Sequence, residues 1–267
     1  MGNGFPEPNG SRRRKPDSLP IYVGTSGWSY PDWRTVLYGD APRARWLALY
    51  ARRFRAVEID SSFYRRHRPE TYRRWAEETP PDFAFALKGH RFLTHVKRLR
   101  DVAEPLRFQI EEAAPLGPKL KAFLWQLSGS FRKDLDRLES FAQALAGQES
   151  SARHVLEFRH PSWFDREVAS LLNRYRLGSC LSDSADWPLW EAVPTDLVFV
   201  RLHGRPATYA SSYSENELAS WVERAETWQR EERTVHCYFD NTAGGAAVHN
   251  ALRFLAMLSP GQQEGLR

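Results

Sequence analysis

Ionisable side chains recur at the ends of short β-rich segments, where their types and spacing suit acid–base chemistry. The candidate acids and bases are Glu58, Asp60, Glu157, His203 and Asp240. A carboxylate that shares a dry pocket with other carboxylates can have its pKa raised toward neutrality, and the pKa of a histidine already lies near physiological pH. The sequence therefore predicts a catalytic site that moves protons, with Glu58, Glu157, His203 and Asp240 as its catalytic residues.

Three cationic side chains, Lys88, Arg159 and Arg201, end or follow neighbouring segments of the same kind. Guanidinium groups match the oxygen pairs of carboxylates and phosphates, and a lysine adds a point charge. Arg201 is the expected main anion-binding residue, because its segment is followed by loops that often bind phosphate in α/β barrels. These residues predict a small anionic substrate.

Other side chains near the segment ends could wall a pocket or stack against a planar ring. These further candidate substrate-binding residues are Trp28, Tyr64, Gln126, Trp163, Tyr238 and Asn241. The segment at residues 24–28 lacks the glycine spacing of a dinucleotide-binding loop, so no organic cofactor is predicted.

A divalent metal is an open alternative, since carboxylates and a histidine can ligate Mg²⁺, Mn²⁺ or Zn²⁺. Nearby cations oppose a metal, and the chain has no HExxH or CxxC motif, so no residue is assigned as a metal ligand. The charges could instead form a neutral network of buried ion pairs. A cluster of this size favours a site, because burying several charges costs desolvation energy that apolar residues avoid.

The elements that must position these residues are eight β-rich segments that alternate with helical patterns, which is typical of a parallel sheet. The predicted strands cover residues 21–26, 56–60, 83–88, 122–127, 154–159, 178–182, 197–203 and 234–240. The predicted helices cover residues 43–54, 70–78, 102–114, 133–145, 166–176 and 245–258. The fold class is α/β, a single (β/α)8 TIM-type barrel whose sixth helix is reduced or absent.

In such a barrel alternate side chains of each strand point inward, and active sites lie at the C-terminal ends of the strands. In strand two, the aliphatic residues Val57 and Ile59 should face the helices, which turns Glu58 and Asp60 inward. The same alternation turns the other charged strand residues inward. We therefore expect the predicted site residues to meet at this mouth of the barrel.

The chain of 267 residues fits one barrel domain, predicted to span residues 21–260. Residues 1–20 are poor in apolar side chains and rich in Gly, Pro, Ser and Arg, so they are expected to form a disordered basic leader. Residues 12–15 supply four positive charges within this leader, which leaves nucleic acid a weakly supported partner.

No apolar run is long enough to span a bilayer, and the N-terminus lacks the apolar centre of a secretory signal. We therefore expect a cytoplasmic protein without a membrane partner. Cys180 and Cys237 lie in apolar strand-like segments and are expected to be reduced thiols in the core.

Six ordered motifs lie at the predicted strand ends, and together they resemble the DUF72 (YecE-like) family from about residue 21 to residue 258. The motifs are GTSGWSY at 24–30, EIDSSFY at 58–64, FALK at 85–88 with TH at 94–95, EFRHPSW at 157–163, RLHG at 201–204 and YFDN at 238–241. The resemblance implies a TIM barrel and supports the same site residues, but it implies no particular reaction.

Three functions stay open from the sequence. The leading hypothesis is an enzyme of hydrolase or lyase type that acts on a small anionic or sugar-like substrate at the mouth of the barrel. One alternative is metal-assisted phosphoester hydrolysis on nucleic acid. The other is a non-catalytic module that binds a small molecule in the same pocket.

Overall fold

The computed structural model describes residues 19–259, in which eight parallel strands follow one another around a barrel in chain order. The strands are β1 (Ile21–Thr25), β2 (Ala56–Ile59), β3 (Ala84–Lys88), β4 (Leu120–Gln126), β5 (Arg153–Glu157), β6 (Gly178–Asp183), β7 (Leu197–Leu202) and β8 (Thr234–Phe239). All eight predicted strands are present, and the predicted TIM-type barrel is confirmed.

Seven α-helices of the described region surround the strands. They are α1 (Trp46–Tyr50), α2 (Pro69–Glu77), α3 (Ala103–Ala113), α4 (Leu135–Ala146), α5 (Arg166–Arg174), α6 (Glu215–Arg230) and α7 (Ala246–Met257). Short 3-10 or π turns cover Pro31–Trp33, Arg34–Tyr38, Arg43–Arg45, Ser61–Phe63, Phe92–Val96, Ala114–Lys119, Pro161–Trp163 and Ala243–Gly245. Several of these turns directly follow a strand, so they shape the mouth of the barrel.

Two helices differ from the sequence-based prediction. The helix predicted at residues 43–54 is only the turn Arg43–Arg45 followed by α1. Helix α6 was not predicted, although Ser214 and Glu217 form a capping box at its start and carry a recognisable signal. The connection between β6 and β7, residues 184–196, contains no helix, as its short Pro-containing sequence indicated.

Strand alternation divides the apolar residues into two cores. Outward residues such as Val57 and Ile59 pack with the helices, as predicted. Inward residues form a separate interior core: Ala56, Ala84, Ala86, Ala122, Leu124, Val155, Cys180, Leu197, Phe199 and Tyr238. The small residues of β2, β3 and β4 leave room for Phe199 and Tyr238 from β7 and β8, so the interior is filled rather than open. The polar site therefore lies on a packed apolar floor.

The junction between β1 and β2 closes the ring with little strand pairing. Ser26 and Glu58 form an isolated bridge, and the N–H of Gly27 donates to the carbonyl of Glu58 at 2.8 Å. The hydroxyl of Tyr50 completes the junction. It accepts from the N–H of Thr25 at 2.8 Å and donates to the carbonyl of Ala56 at 3.0 Å.

We expect Tyr50→Phe to lower the free energy of unfolding by about 1–3 kcal/mol, because it leaves these two backbone groups buried without a partner. Urea denaturation of the variant and the wild type measures the loss. Tyr175→Phe is the matched control, since it removes a partly exposed hydroxyl that bonds Glu139 at 3.0 Å. Equal losses in the two variants would contradict a closing role for Tyr50.

Three further expectations concern the cysteines, membrane-spanning helices and the N-terminal leader. Cys180 and Cys237 are free and buried, as predicted. Among residues 19–259, no helix combines the length and apolarity that crossing a bilayer requires. The predicted basic leader, apart from Leu19 and Pro20, lies outside the described residues, and it stays a prediction.

Candidate active site

The centre of the mouth is Arg201 on β7, whose side chain is fully buried. Its guanidinium forms a bidentate pair with Glu58, with Nε 2.9 Å from Oε2 and Nη2 2.8 Å from Oε1. Nη1 donates to Oε2 of Glu157 at 2.8 Å, and Nη2 donates to Oδ2 of Asp240 at 2.8 Å. Nη1 also lies 2.8 Å from Nε2 of His203, which accepts a hydrogen bond from it in the tautomer that is protonated on Nδ1. We call these five residues the Arg201 network.

All five N–H groups of the guanidinium donate hydrogen bonds to other residues of the network. No donor is left for a substrate anion, which corrects the expectation that Arg201 is the main anion-binding residue. Arg201 does point into the barrel, as strand alternation predicts. Carboxylates from β2, from β5 and from the end of β8 point to the same level, however, and they accept the hydrogen bonds that a substrate anion would need. Arg201 instead fixes the positions of Glu58, Glu157 and Asp240.

The network also holds Glu157 and Asp240 ionised. Burial alone raises the pKa of Glu157, but the charges of Arg201 and Arg159 outweigh it and hold that pKa well below the usual range. The same balance of burial against Arg201 holds the pKa of Asp240 below its usual value. Neither carboxylate can supply a proton at neutral pH, so both suit charge stabilisation better than general acid catalysis.

The site also contains two cations outside the network, Lys88 and Arg159. Lys88 ends β3 and is only 8% exposed, and its Nζ has no hydrogen bond or ion pair with any residue of the described chain. Arg159 donates through Nε to Oε1 of Glu157 at 2.8 Å and stacks on Trp187, 3.9 Å from the ring centroid. The terminal nitrogens of Arg159 donate to no carboxylate within residues 19–259.

Two titratable groups near these cations have pKa values shifted by their surroundings. Burial, followed by the charges of Asp240 and Glu58, raises the pKa of Asp60. Burial, followed by the charges of Lys88 and Arg159, lowers the pKa of His95 to about 4. Asp60 therefore keeps its proton more readily than a free aspartate, and His95 is neutral at physiological pH. The raised pKa suits Asp60 to donate a proton, and the unprotonated imidazole of His95 can accept one.

The structure brings the predicted catalytic residues together with Lys88, Arg159 and Arg201, but it separates several predicted substrate-binding residues from the mouth. Trp163 is fully buried, and its N–H donates to the carbonyl of Phe131 at 2.7 Å. Tyr238 is also fully buried in the interior core, with its hydroxyl 3.0 Å from Nδ1 of His236. Neither ring is exposed to a ligand. Large aromatic side chains also fill cores, so their residue type alone did not distinguish a wall of the pocket from the core.

Of the remaining predicted residues, Gln126 and Tyr64 keep a place at the mouth. Gln126 ends β4 beside Glu157, and its amide has no hydrogen bond within the described chain. Tyr64 is 66% exposed at the rim. Trp28 instead packs edge-on against Trp75 of α2 at 5.1 Å. Asn241 is buried, and its amide nitrogen bonds the carbonyl of Ser211 at 2.9 Å, which supports a loop.

Sequence reasoning missed or undervalued several residues at the site. Ser26 and Ser182 donate to Glu58 at 2.8 Å and Glu157 at 3.1 Å, and the alternation of β1 and β6 already turned them inward. Trp187 and Tyr209 come from loops, Trp187 under Arg159 and Tyr209 edge-on to His203 at 5.6 Å. No strand pattern positions a loop residue, so sequence offered no signal for these two.

Metal ligation was left open by the sequence. Within the described region no group of three or more His, Cys, Asp or Glu side chains is arranged to hold a metal ion. The three carboxylates that come closest to such a group are bonded to Arg201, whose charge repels a cation at the same place. The donor set at the mouth therefore does not fit a divalent metal.

Comparison with known proteins connects this geometry to a family. The family described as "Protein of unknown function DUF72" matches residues 22–266. The UPF0759 protein YecE of Escherichia coli K12 is 32% identical over 156 residues, which is 58% of this chain and 54% of YecE, so the match spans about half the relative's length. The UPF0759 protein YunF of Bacillus subtilis is 26% identical over 89% of this chain and 94% of YunF.

A solved structure supports the same relationship. The crystal structure of a DUF72 family protein from Thermotoga maritima is 29% identical, with a TM-score of 0.78 over 89% of this chain and 98% of that one. The match to the family covers nearly the whole barrel and includes every strand that carries the Arg201 network. The chain belongs to the DUF72 family.

Proposed function

We propose that the mouth of the barrel is the active site of an enzyme of hydrolase or lyase type that acts on a small anionic or sugar-like molecule. The observation that carries this proposal is the division of the cations into two sets. Arg201 is saturated by carboxylates, whereas Lys88 and the terminal nitrogens of Arg159 have no carboxylate hydrogen bond within the described chain. Cations in a largely buried mouth that have no carboxylate partner favour an acceptor from outside, and an anionic oxygen suits both.

The groups beside these cations can supply proton transfer. Asp60, with its raised pKa, is the proposed general acid, and neutral His95 is the proposed general base. Glu58, Glu157 and Asp240 provide fixed negative charge that would stabilise a cationic centre in the reacting molecule. The amide of Gln126 could bond a hydroxyl or carbonyl of the substrate.

Thermal melts with added anions test the binding part of this proposal. Phosphate, sulfate and acetate should raise the Tm of the wild type, because a ligand that binds only the folded state stabilises it. Lys88→Met and Arg159→Met should lose most of this shift. Arg73→Met is the matched control, since Arg73 is an exposed cation on α2 and should keep the full shift. Equal shifts in all four proteins would contradict a binding role for Lys88 and Arg159.

A turnover screen tests the catalytic part. Asp60→Asn should keep the anion-induced shift in Tm and lose activity on any hydrolase or lyase substrate that the wild type converts. Binding without turnover across such a screen would identify a ligand-binding module instead. Activity that depends on added Mg²⁺ or Mn²⁺ and on nucleic acid would favour the metal-assisted alternative.

A further inference from the structure

We propose that Lys88 is a nucleophile that forms an imine with the carbonyl carbon of a small 2-oxo carboxylate, whose carboxylate is held by Arg159. This inference rests on the proposed function, because it uses the same mouth and the same anion site. It adds a covalent step and a substrate class to that site.

The first argument is the isolation of the amine. Lys88 lies inside the barrel mouth with no acceptor for its Nζ among residues 19–259, and Nζ is 4.4 Å from the centroid of the Phe63 ring. Lys119 shows the contrast, because its amine donates to the carbonyl of Thr79 at 2.7 Å and to the Thr79 hydroxyl at 3.1 Å. These acceptors fix the Lys119 amine in place, whereas no acceptor within the described chain holds the Lys88 amine away from an incoming carbonyl.

The second argument is the protonation state. Burial, followed by the charge of Arg201, lowers the pKa of Lys88, while Asp240, Glu58 and Glu157 oppose the shift. These three carboxylates are bonded to Arg201, so they attract the Lys88 ammonium from a distance without an ion pair to it. A lysine that is desolvated and faces a second cation is the usual form of an imine-forming lysine.

The third argument is the pairing of the amine with a cation that can hold the rest of the substrate. Arg159 and Lys88 both lower the pKa of His95, so both charges lie within electrostatic reach of one imidazole. The planar guanidinium of Arg159 is held by Glu157 and Trp187 and lies near the Tyr209 hydroxyl. Its terminal nitrogens have no carboxylate partner within the described chain, so they can receive the carboxylate of a substrate. A carbonyl next to that carboxylate is the group that would meet Lys88.

The step balances without an oxidant or reductant. The Lys88 ammonium first releases a proton to solvent. The lone pair of the neutral Nζ then attacks the carbonyl carbon, and the carbonyl oxygen takes a proton from Asp60. His95 accepts one proton from the nitrogen and passes it to the same oxygen, the C–O bond breaks, and the oxygen leaves as water while the C=N bond forms. The water therefore carries one proton from Asp60 and one from the amine, the second amine hydrogen stays on the nitrogen of the protonated imine, and Asp60 is left ionised. The resulting imine withdraws electrons from the neighbouring carbon, which suits lyase chemistry.

Reductive trapping tests the proposal. The full-length protein is incubated with pyruvate and sodium cyanoborohydride, and adducts are located by peptide mass spectrometry. We expect adducts at Lys88 to exceed those at any other lysine by about tenfold or more, because Lys88 combines a lowered pKa with a place at the mouth near a cation that can hold the carboxylate. Lys97→Arg, a matched substitution outside the site, should trap like the wild type.

Two variants separate this proposal from the proposed function. Lys88→Arg keeps a positive charge and cannot form an imine, so it should lose trapping and keep the anion-induced shift in Tm. Arg159→Met should slow trapping of pyruvate more than trapping of propanal, which has no carboxylate to hold. Adducts spread evenly over the lysines, or a pattern unchanged in Lys88→Arg, would overturn the imine. The anion shift would then decide separately whether the proposed function stands.

Discussion

Arg201→Met is expected to lower the free energy of unfolding by about 3–5 kcal/mol, because it leaves the buried carboxylates of Glu58, Glu157 and Asp240 without their shared cation. Methionine fills much of the same volume, so the loss reports charge more than packing. Chemical denaturation of the variant and the wild type measures it. Arg205→Met is the matched control. Arg205 pairs with Asp183 at 2.7 Å, but 44% of its side chain is exposed, and its loss should cost only about 0–1 kcal/mol.

The loss of unfolding free energy in Arg201→Met, relative to the wild type, should become smaller as the pH falls. In the wild type the pKa values of Glu157 and Asp240 are held below their usual range, so their contribution to stability is present at neutral pH and is lost only as the pH falls through those lowered values. In the variant Arg201 no longer offsets burial, so the pKa values of both carboxyls rise relative to the wild type and they take up protons at higher pH. We therefore expect the two stabilities to converge between neutral pH and about pH 4. A deficit that is small at neutral pH would contradict a central role for Arg201.

The barrel could be read from the sequence because its two signals are local. Eight β-rich segments alternate with helical patterns, and the period of two within each strand determines which side chains point inward. Glu58 on β2, Glu157 on β5 and Arg201 on β7 are far apart in the chain, yet strand phase alone brought them to one mouth. The same rule turned Val57 and Ile59 toward the helices, where they pack.

The chemistry within the mouth was less predictable, because it depends on which of the inward side chains form hydrogen bonds with one another. Strand phase places Arg201 among carboxylates but cannot show that all its N–H groups are used. The same limit applies to Lys88, whose lack of a partner in the described chain follows from that saturation. Trp187 and Tyr209 reach the site from loops, and loop paths have no simple sequence period.

The saturation of Arg201 and the freedom of Lys88 are two results of one arrangement. The three carboxylates around the single guanidinium are held rigidly, because each accepts at least one charged hydrogen bond. Their fixed charges act on neighbouring groups such as Lys88 through the electric field, without a direct hydrogen bond, and active sites depend on charges fixed in this way. The network thus has a structural role and a positioning role together.

Gly24→Ala is expected to destabilise the fold by about 3 kcal/mol or more, because an added methyl group has no room at the β1–β2 junction. A Cβ at Gly24 would lie 2.0 Å from the carbonyl oxygen of Ala56 and 3.0 Å from the hydroxyl of Tyr50. Both neighbours belong to the bridge that closes the ring, so β1 must move away from β2. That movement also separates Ser26 from Glu58 of the Arg201 network, to which the Ser26 hydroxyl donates at 2.8 Å.

Thermal melts and the anion-induced shift in Tm measure the two consequences of Gly24→Ala. We expect a large fall in Tm together with a weaker response to phosphate, because opening the junction displaces Glu58 and with it Arg201. Gly147→Ala is the matched control, since Gly147 has φ −81° and its added Cβ would meet only ordinary contacts at 3.7 Å. A Gly24→Ala variant as stable as Gly147→Ala would show that the junction tolerates separation, and the ring would then not depend on the close approach of β1 to β2.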